Sequence, residues 1–270
     1  MKKQEYTKFF LALIVVLVIY VPVFIWMVDR WTAPGTYYSH GFLVPFISAF
    51  LVWHKRKELI KLKYAPSRSG WWFFLGGICV YLISALWQVY FSAGFALLAI
   101  IFGLILLLLG KEFFRPLFFP VAFLGFMVPA PMVAIANMSF RLKIFASQVS
   151  VFIVNMMGIK AVRDGSTIHT AHSYLLVEDP CSGIRSLIAL IALGTLMAYL
   201  SNLSRTRKII LFLSSIPIAI FSNVIRIVVL TLVSETYGAK IATGKFHDSM
   251  GIVVFVIAFL SLALVKKVLE

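Results

Sequence analysis

Carboxylates and cysteines are both scarce in this chain. Of its 270 residues only 10 are Asp or Glu, 2 are Cys and 13% are charged, whereas 61% are hydrophobic. The mean hydropathy of +0.99 is far from the balance of a soluble domain. Apolar stretches long enough to cross a bilayer recur along the chain, which predicts an all-α polytopic membrane protein. No linker or polar region interrupts them, so we expect one membrane-embedded domain over residues 1–270.

The missing motifs exclude several kinds of site. The sequence has no His-Glu-x-x-His, no clustered Cys and His spacing, no Gly-x-Ser-x-Gly and no glycine-rich phosphate loop. We therefore expect neither a metal nor a cofactor. The two cysteines fall on different predicted helices, with Cys79 near the bilayer centre as a small apolar residue. A disulfide to Cys181 is not expected, and a single outer thiol suits a reactive role.

Eight membrane-spanning helices are predicted. The first has too long an apolar stretch for a signal peptide, and no small-residue cleavage site follows it. The second is short and depends on polar flanks for its ends. The predicted spans are 9–28, 41–54, 70–91, 94–110, 116–136, 181–200, 209–233 and 250–266.

The basic residues predict how these spans are oriented. The chain holds 25 Lys and Arg, and its net charge is +15. With both termini inside, 16 of them fall on the cytoplasmic side and 7 on the other, while two lie within spans. This asymmetry in short loops follows the positive-inside rule and favours an N-in, C-in topology. Because the charge is explained in this way, no nucleic-acid partner is expected.

A cysteine precedes the sixth span, in the run Asp179-Pro180-Cys181-Ser182-Gly183-Ile184-Arg185. Asp179 suits a helix N-cap and Pro180 the first helical position, which predicts Cys181 as the second helical residue. Unpaired backbone N–H groups, the positive helix end and Arg185 one turn further on all favour a thiolate there. The alternative is an inert apolar cysteine within a membrane helix.

Two further polar groups are predicted to reach the same membrane face. Arg226 lies 17 residues beyond the cytoplasmic start of span seven at Ile209, about 25 Å along the helix at ~1.5 Å per residue. A buried arginine costs about 2.5–3.5 kcal/mol on insertion scales, so it needs a partner or a function, unless it snorkels to the headgroups. Asn223 lies one turn before it, on the same side. His247 is predicted in the outer loop just before span eight, although histidines are common in loops.

The longest outer segment, residues 137–180, is predicted to be structured. Residues 137–157 are amphipathic, which is compatible both with lying along the interface and with dipping into the bundle. Residues 162–168 contain an Asp-Gly turn between strand-like flanks, and 174–177 are strand-like too, which predicts a small β-hairpin before the cysteine helix. Such an element suits either strand addition to an extended peptide or packing as a lid.

These motifs resemble those of a known family. Cys181-Ser182-Gly183-x-Arg185, Asn223-x-x-Arg226 and His247 with Gly251 occur in the order and spacing of the exosortase/archaeosortase family of membrane cysteine transpeptidases, and the chain resembles that family over nearly its whole length. Tyr38-Ser39-His40-Gly41 and Pro129-Ala130-Pro131 resemble the family's amino-terminal half. Histidine at the third position favours the bacterial exosortase branch, whereas Pro180 departs from the pattern. The resemblance implies a catalytic set of Cys181, Arg226 and His247, with supporting or substrate-binding residues Arg185, Asn223, Ser182 and His40.

The resemblance also implies a substrate and a location. Family members cleave secreted proteins at a carboxy-terminal sorting signal, made of a short motif such as Pro-Glu-Pro, a membrane helix and a basic cluster. The implied setting is a bacterial inner membrane, with the site facing outward among membrane lipids, and a glycan, a lipid or water as acceptor. Two other classes stay open from the residues alone. A transporter or flippase would bind an anionic substrate through its intramembrane arginines, and a structural subunit would pair them inside the bundle; neither requires Cys181.

Overall fold

Helices make up most of the chain, and one small sheet interrupts them. The computed structural model describes residues 2–177 and 182–270. Its contacts divide the chain into two units, Met1–Pro131 and Met132–Glu270, which are described separately below. The predicted single domain over 1–270 stays a prediction.

The first unit contains seven α-helices and three shorter turns of other helix types among the described residues. The α-helices are α1 (Lys2–Ile19), α2 (Val21–Thr32), α3 (Leu43–His54), α4 (Arg56–Leu59), α5 (Gly70–Leu86), α6 (Tyr90–Leu104) and α7 (Lys111–Phe123). The other turns are the 3₁₀ segments Ser39–Phe42 and Leu124–Met127 and the π-helical turn Ile105–Leu109.

The second unit holds five described helices and three short strands. They are α8 (Met132–Met156), β1 (Val162–Asp164), β2 (Thr167–His169), β3 (Tyr174–Leu176), α9 (Ile184–Leu200), α10 (Arg205–Tyr237), α11 (Ala239–Thr243) and α12 (Lys245–Leu269).

Three described helices are long and apolar enough to cross a membrane by themselves, namely Tyr90–Leu109, Arg205–Tyr237 and Ser249–Leu269. The count rises to five if each of two bent pairs forms one span. Those pairs are Tyr6–Ile19 with Val21–Thr32, and Lys111–Met127 with Met132–Met156. The chain is therefore a helical membrane protein. Eight spans and the N-in, C-in orientation stay predictions, since Ser39–His54, Gly70–Leu86 and Ile184–Leu200 are apolar but shorter.

Glycines allow the closest helix packing in the first unit. A Cβ at Gly77 would lie 2.7 Å from the Ile100 side chain, and one at Gly103 would lie 2.6 Å from the backbone of Phe74. Helices α5 and α6 therefore pack backbone against backbone, as small residues permit in a membrane bundle. Elsewhere in this unit the Ser48 hydroxyl donates a buried 2.8 Å hydrogen bond to the Pro120 carbonyl, which fixes α3 against α7.

Helix α10 is the central element of the second unit. It packs against α8, α9, α11, α12 and β3, and Leu211, Ile227 and Leu230 are each at most 1% exposed. The hydroxyl of Ser150 on α8 donates a 3.3 Å hydrogen bond to the Val224 carbonyl of α10. Because α10 has neighbours on several sides, polar residues at different points around it reach different partners.

The predicted hairpin is present and gains a third strand. β1 pairs antiparallel with β2, and β2 with β3, in the order β1-β2-β3. Gly165 and Ser166 form the first connection, with Gly165 at a left-handed φ of +57° that glycine adopts without strain. Ile168 and Leu175 point inward, where they pack with residues of α8 and α10. One face of the sheet thus covers the helices.

One predicted span is interrupted, and the amphipathic stretch that follows it is helical. The predicted span 116–136 is broken, because α7 and its 3₁₀ extension end at Met127 and α8 starts only at Met132. Pro129 and Pro131 lie in the break, where proline restricts the residue before it and removes a backbone donor.

The amphipathic stretch 137–157 belongs to α8, whose serines Ser147 and Ser150 are fully buried. It dips into the bundle rather than lying along the interface.

Candidate active site

Two polar side chains stand one turn apart on α10. Asn223 is 4% exposed, and Arg226 is half-buried three residues later. Both lie on the stretch of α10 that passes between the first residues of α9 and those of α12. This placement lets one helix present an amide toward the segment that follows Cys181 and a guanidinium toward His247.

Arg226 and His247 are in direct contact. Nη2 of Arg226 lies 3.1 Å from Nε2 of the imidazole, and the same nitrogen donates to the His247 carbonyl oxygen, also at 3.1 Å. A guanidinium has donors only, so Nε2 accepts and the ring proton is assigned to Nδ1. In this arrangement His247 is a neutral imidazole whose side chain and backbone are both held by one arginine.

The position of His247 differs from the prediction. Helix α12 begins at Lys245, one residue after Gly244, so His247 lies in its first turn rather than in a loop before it. Asp248 and Ser249 are therefore also inside the helix. A helical His247 projects from a fixed backbone, which makes its distance to Arg226 more reproducible than a loop would allow.

Gly251, one turn beyond His247, leaves room for the arginine. A Cβ at this position would lie 3.2 Å from Nη2 and 3.5 Å from Cζ of Arg226. The guanidinium therefore rests on the bare backbone of α12 before it reaches His247. The i, i+4 spacing of His247 and Gly251 places both on one helix face. Both residues can therefore contact the same guanidinium.

Asn223 packs against Gly183 in a similar way. Gly183 is the residue before α9 and has a left-handed φ of +79°. A Cβ there would lie 2.7–2.9 Å from the Cγ, Nδ2 and Cβ atoms of Asn223. Both the backbone conformation and the contact exclude a side chain. The predicted list of site residues omitted Gly183, although the Cys-Ser-Gly run contained it.

The start of α9 corrects the predicted cap. The helix begins at Ile184, not at residue 180, because Gly183 in the left-handed conformation cannot continue a helix. Cys181, with Asp179 and Pro180, lies outside the described residues. The thiolate argument from a second helical position is therefore not retained. The described residues resume at Ser182, which is 2% exposed. Its hydroxyl accepts a 3.5 Å hydrogen bond from the Ile184 N–H.

Arg185 lies in the first turn of α9 and is half-buried. Its Nε is buried and has no hydrogen-bond partner among residues 2–177 and 182–270. A buried guanidinium N–H without an acceptor is costly, so this nitrogen suits an acceptor from outside the described residues. The prediction that Arg185 supports catalysis or binds substrate stays a prediction.

Two small cavities flank these residues. One lies beside β3 and is lined in part by Leu176, Val177, Thr243 and His247. The other is mostly apolar and is lined in part by Leu142, Ser182, Gly183 and Asn223. Neither encloses much free space. No three His, Cys, Asp or Glu side chains come together as metal ligands in the described part of the chain.

His40, the remaining predicted site residue, belongs to the first unit. It lies in the 3₁₀ turn Ser39–Phe42, with its ring stacked on Tyr38 at a centroid distance of 5.8 Å. Both of its ring nitrogens are buried, and the backbone of Phe126 lies close enough to interact with the ring. The Tyr38 hydroxyl in turn accepts a 3.0 Å hydrogen bond from the Ala130 N–H, and burial raises the pKa of this phenol.

Comparison with known proteins decides the family. The family model described as transmembrane exosortase matches residues 31–264, a stretch that includes every predicted site residue. The chain belongs to the transmembrane exosortase family. No curated protein and no solved structure matches this exosortase-family chain. The resemblance found from the Cys-Ser-Gly-x-Arg, Asn-x-x-Arg and His motifs is confirmed at the level of the family, and membership supports a membrane protein of the sorting-transpeptidase type.

Proposed function

We propose that this chain is a membrane-embedded cysteine protease and transpeptidase of the exosortase type, with Cys181 as its nucleophile. The observation that carries the proposal is the contact of Arg226 with His247, two polar groups placed within an exosortase-family chain. Asn223, one turn away, packs on Gly183, two residues beyond Cys181. A neutral histidine beside a fixed cation is a suitable environment for activating a thiol and stabilising the negative charge that follows.

The first half-reaction forms a thioester. The Cys181 thiol gives its proton to Nε2 of His247. To accept this proton, Nε2 gives up its hydrogen bond with Arg226. The sulfur attacks the scissile carbonyl carbon, and the carbonyl oxygen takes up the negative charge. Arg226 stabilises first the thiolate and then this oxyanion. The C–N bond breaks, the amine leaves with the proton from His247, and the acyl group stays on sulfur.

The second half-reaction releases the product. An acceptor amine or hydroxyl, or water, gives its proton to His247 and attacks the thioester carbonyl. The C–S bond breaks, the thiolate leaves beside Arg226, and it takes the proton back from His247, so that the thiol and the neutral imidazole are restored. In this scheme Asn223 orients Arg226 from the adjacent turn of α10, and Arg185 binds an acidic group of the substrate through its inward-facing guanidinium.

The substrate that suits such an enzyme is a secreted protein with a carboxy-terminal sorting signal. We place the cut just outside the hydrocarbon layer of a bacterial inner membrane, next to the membrane helix of the substrate, with the site on the extracytoplasmic side. The family match and the apolar helices support a membrane location. The acceptor would be a surface glycan or lipid.

Co-expression with a tagged substrate tests the proposal. Cys181→Ala is expected to abolish processing, and Arg226→Ala and His247→Ala to slow it by roughly 10²–10⁴-fold, the range for losing an oxyanion donor or a general acid–base. Cys79→Ala is the matched control, because this cysteine is exposed on α5 in the other unit. Unchanged processing in Cys181→Ala would refute the enzyme, and equal losses in both cysteine variants would point to folding instead.

A further inference from the structure

A groove in the first unit combines an apolar wall with a basic, hydrogen-bonding rim. It has a volume of about 580 Å³ and lies between α1, the start of α5 and the end of α6. Its walls are Ala12, Phe74, Leu104, Leu107 and Leu108, and Ser67, Arg68 and Trp71 form its rim. We propose that this groove binds one anionic glycerophospholipid, with an acyl chain along the apolar wall and the phosphate at Arg68. The proposal is independent of the enzymatic function.

A helix irregularity shapes the apolar wall. Residues Ile105–Leu109 form a π-helical turn, closed by a 2.8 Å hydrogen bond from the Gly110 N–H to the Ile105 carbonyl. A π turn is wider than an α turn and is frequent at functional positions. Here it supplies two neighbouring wall residues, Leu107 and Leu108. In a regular α-helix consecutive side chains are about 100° apart, whereas the π turn has more residues per turn and brings consecutive side chains closer to the same side.

The rim presents donors and positive charge. Arg68 is exposed, and a guanidinium binds a phosphate group through two parallel N–H donors. The hydroxyls of Ser67 and Ser69 lie 2.8 Å apart, so one of their two protons is left to donate outward. The Trp71 indole adds an N–H. None of the described residues that line the groove carries a carboxylate, which matches an anion rather than a cation.

The groove also sits at the depth of lipid headgroups. Arg68 lies two residues before α5, an apolar helix, and Lys111 lies two residues after the π turn, so the polar–apolar boundary passes through the rim. Trp71 and Trp72 are 50% and 85% exposed there, as is typical of interfacial tryptophans. Residues 55–68 carry six Lys or Arg against one Glu, and such segments attract anionic lipids.

Native mass spectrometry of the purified full-length protein in detergent tests the site. The probes are dioleoylphosphatidylglycerol, dioleoylphosphatidylcholine with the same chains, and sn-glycerol 3-phosphate as the headgroup without chains. We expect one phosphatidylglycerol to be retained, the phosphatidylcholine to bind more weakly and the glycerol phosphate not to bind. Equal retention of both lipids would overturn the preference for an anion, and binding of glycerol phosphate alone would show a small-anion site instead.

Matched variants separate this groove from general surface charge. Arg68→Ala is expected to weaken phosphatidylglycerol binding about fivefold, the effect of one interfacial basic residue, and to leave phosphatidylcholine unchanged. Arg56→Ala is the control, because Arg56 belongs to the same basic segment but stacks on Trp53 at 4.0 Å. Ala12→Phe, which fills the groove from α1, should lower the binding of both lipids. Equal losses in Arg68→Ala and Arg56→Ala, or full binding by folded Ala12→Phe, would overturn the proposal.

Discussion

Replacing Gly251 with alanine tests the Arg226–His247 contact, because this change is expected to keep or raise stability and to lower activity. Gly251 lies inside α12, where alanine is more favourable than glycine by about 0.5–1 kcal/mol. The new methyl group would lie 3.2 Å from Nη2 of Arg226, closer than ordinary van der Waals contact. Since the guanidinium must move away, the two 3.1 Å hydrogen bonds to His247 lengthen. We therefore expect Gly251→Ala to keep or raise thermal stability while it lowers activity.

The size of the activity loss follows from those hydrogen bonds. A hydrogen bond to a charged group contributes about 1.5–3 kcal/mol, and displacement by a few tenths of an ångström weakens the bond without removing it. A loss of about 1.4 kcal/mol in the transition state lowers the rate roughly tenfold. Gly251→Val, with two more carbons against the guanidinium, should lower it further. The measurements are the processing rate of a tagged sorting substrate and the unfolding temperature in detergent.

Gly76→Ala is the matched control for this change. Gly76 is also inside a helix, α5, but a Cβ there has no atom within 4 Å. This variant should gain helix stability in the same way and process substrate normally. Wild-type processing by a folded Gly251→Ala protein would refute the positioning role of the glycine, and a parallel loss in Gly76→Ala would show that the effect is not specific to Arg226.

Two further changes test other contacts. Gly183→Ala should destabilise the protein by more than the ~1–2 kcal/mol of a left-handed alanine alone, because of the contact with Asn223. Adding Asn223→Ala should recover only part of the excess, since the Cβ of residue 223 would still lie 2.9 Å from the new methyl carbon. Gly158→Ala, at φ +87° with open space around it, measures the backbone strain by itself, and an equal melting temperature for the two single variants would contradict the contact. Tyr38→Phe should cost about 1–3 kcal/mol, since it leaves a backbone N–H without its acceptor. Tyr20→Phe removes a buried hydroxyl that has no hydrogen-bond partner among the described residues and should cost little; similar losses for both tyrosines, by thermal unfolding, would contradict this account.

The apolar pattern predicted which parts of the chain are helical better than where the helices end. The length and hydropathy of their sequences predicted α6, α10 and α12, because a membrane requires long apolar helices with all backbone groups paired. Boundaries depend on individual glycines and prolines. Gly183 adopts a left-handed φ and packs against Asn223, and a single sequence reveals neither feature. The prolines that cause the break around Pro129 are visible in the sequence, but the hydrophobicity of the neighbouring residues favoured the prediction of one continuous span.

The contact between Arg226 and His247 was within reach of the sequence, whereas its geometry was not. An arginine inside an apolar helix requires a partner, and counting residues along the helix placed it near the face of His247. The helical register of His247 depended on α12 starting at Lys245. Gly251 then decides how the guanidinium approaches. Such details come from side-chain packing between α10 and α12, which periodicity does not encode.

With the predicted N-in, C-in orientation, the length of α10 determines where water would meet the proposed site. Its 33 residues extend about 50 Å at ~1.5 Å per residue, well beyond a hydrocarbon layer of about 30 Å. With Arg205, Arg207 and Lys208 at one boundary, Arg226 falls within about one helical turn of the other, and Glu235 projects past it. A hydrolase buried at mid-membrane needs a channel to admit water, whereas a site at this height borders the solvent. In the proposed enzyme, the choice between hydrolysis and transfer of the acyl group would therefore depend on how well the acceptor competes with water.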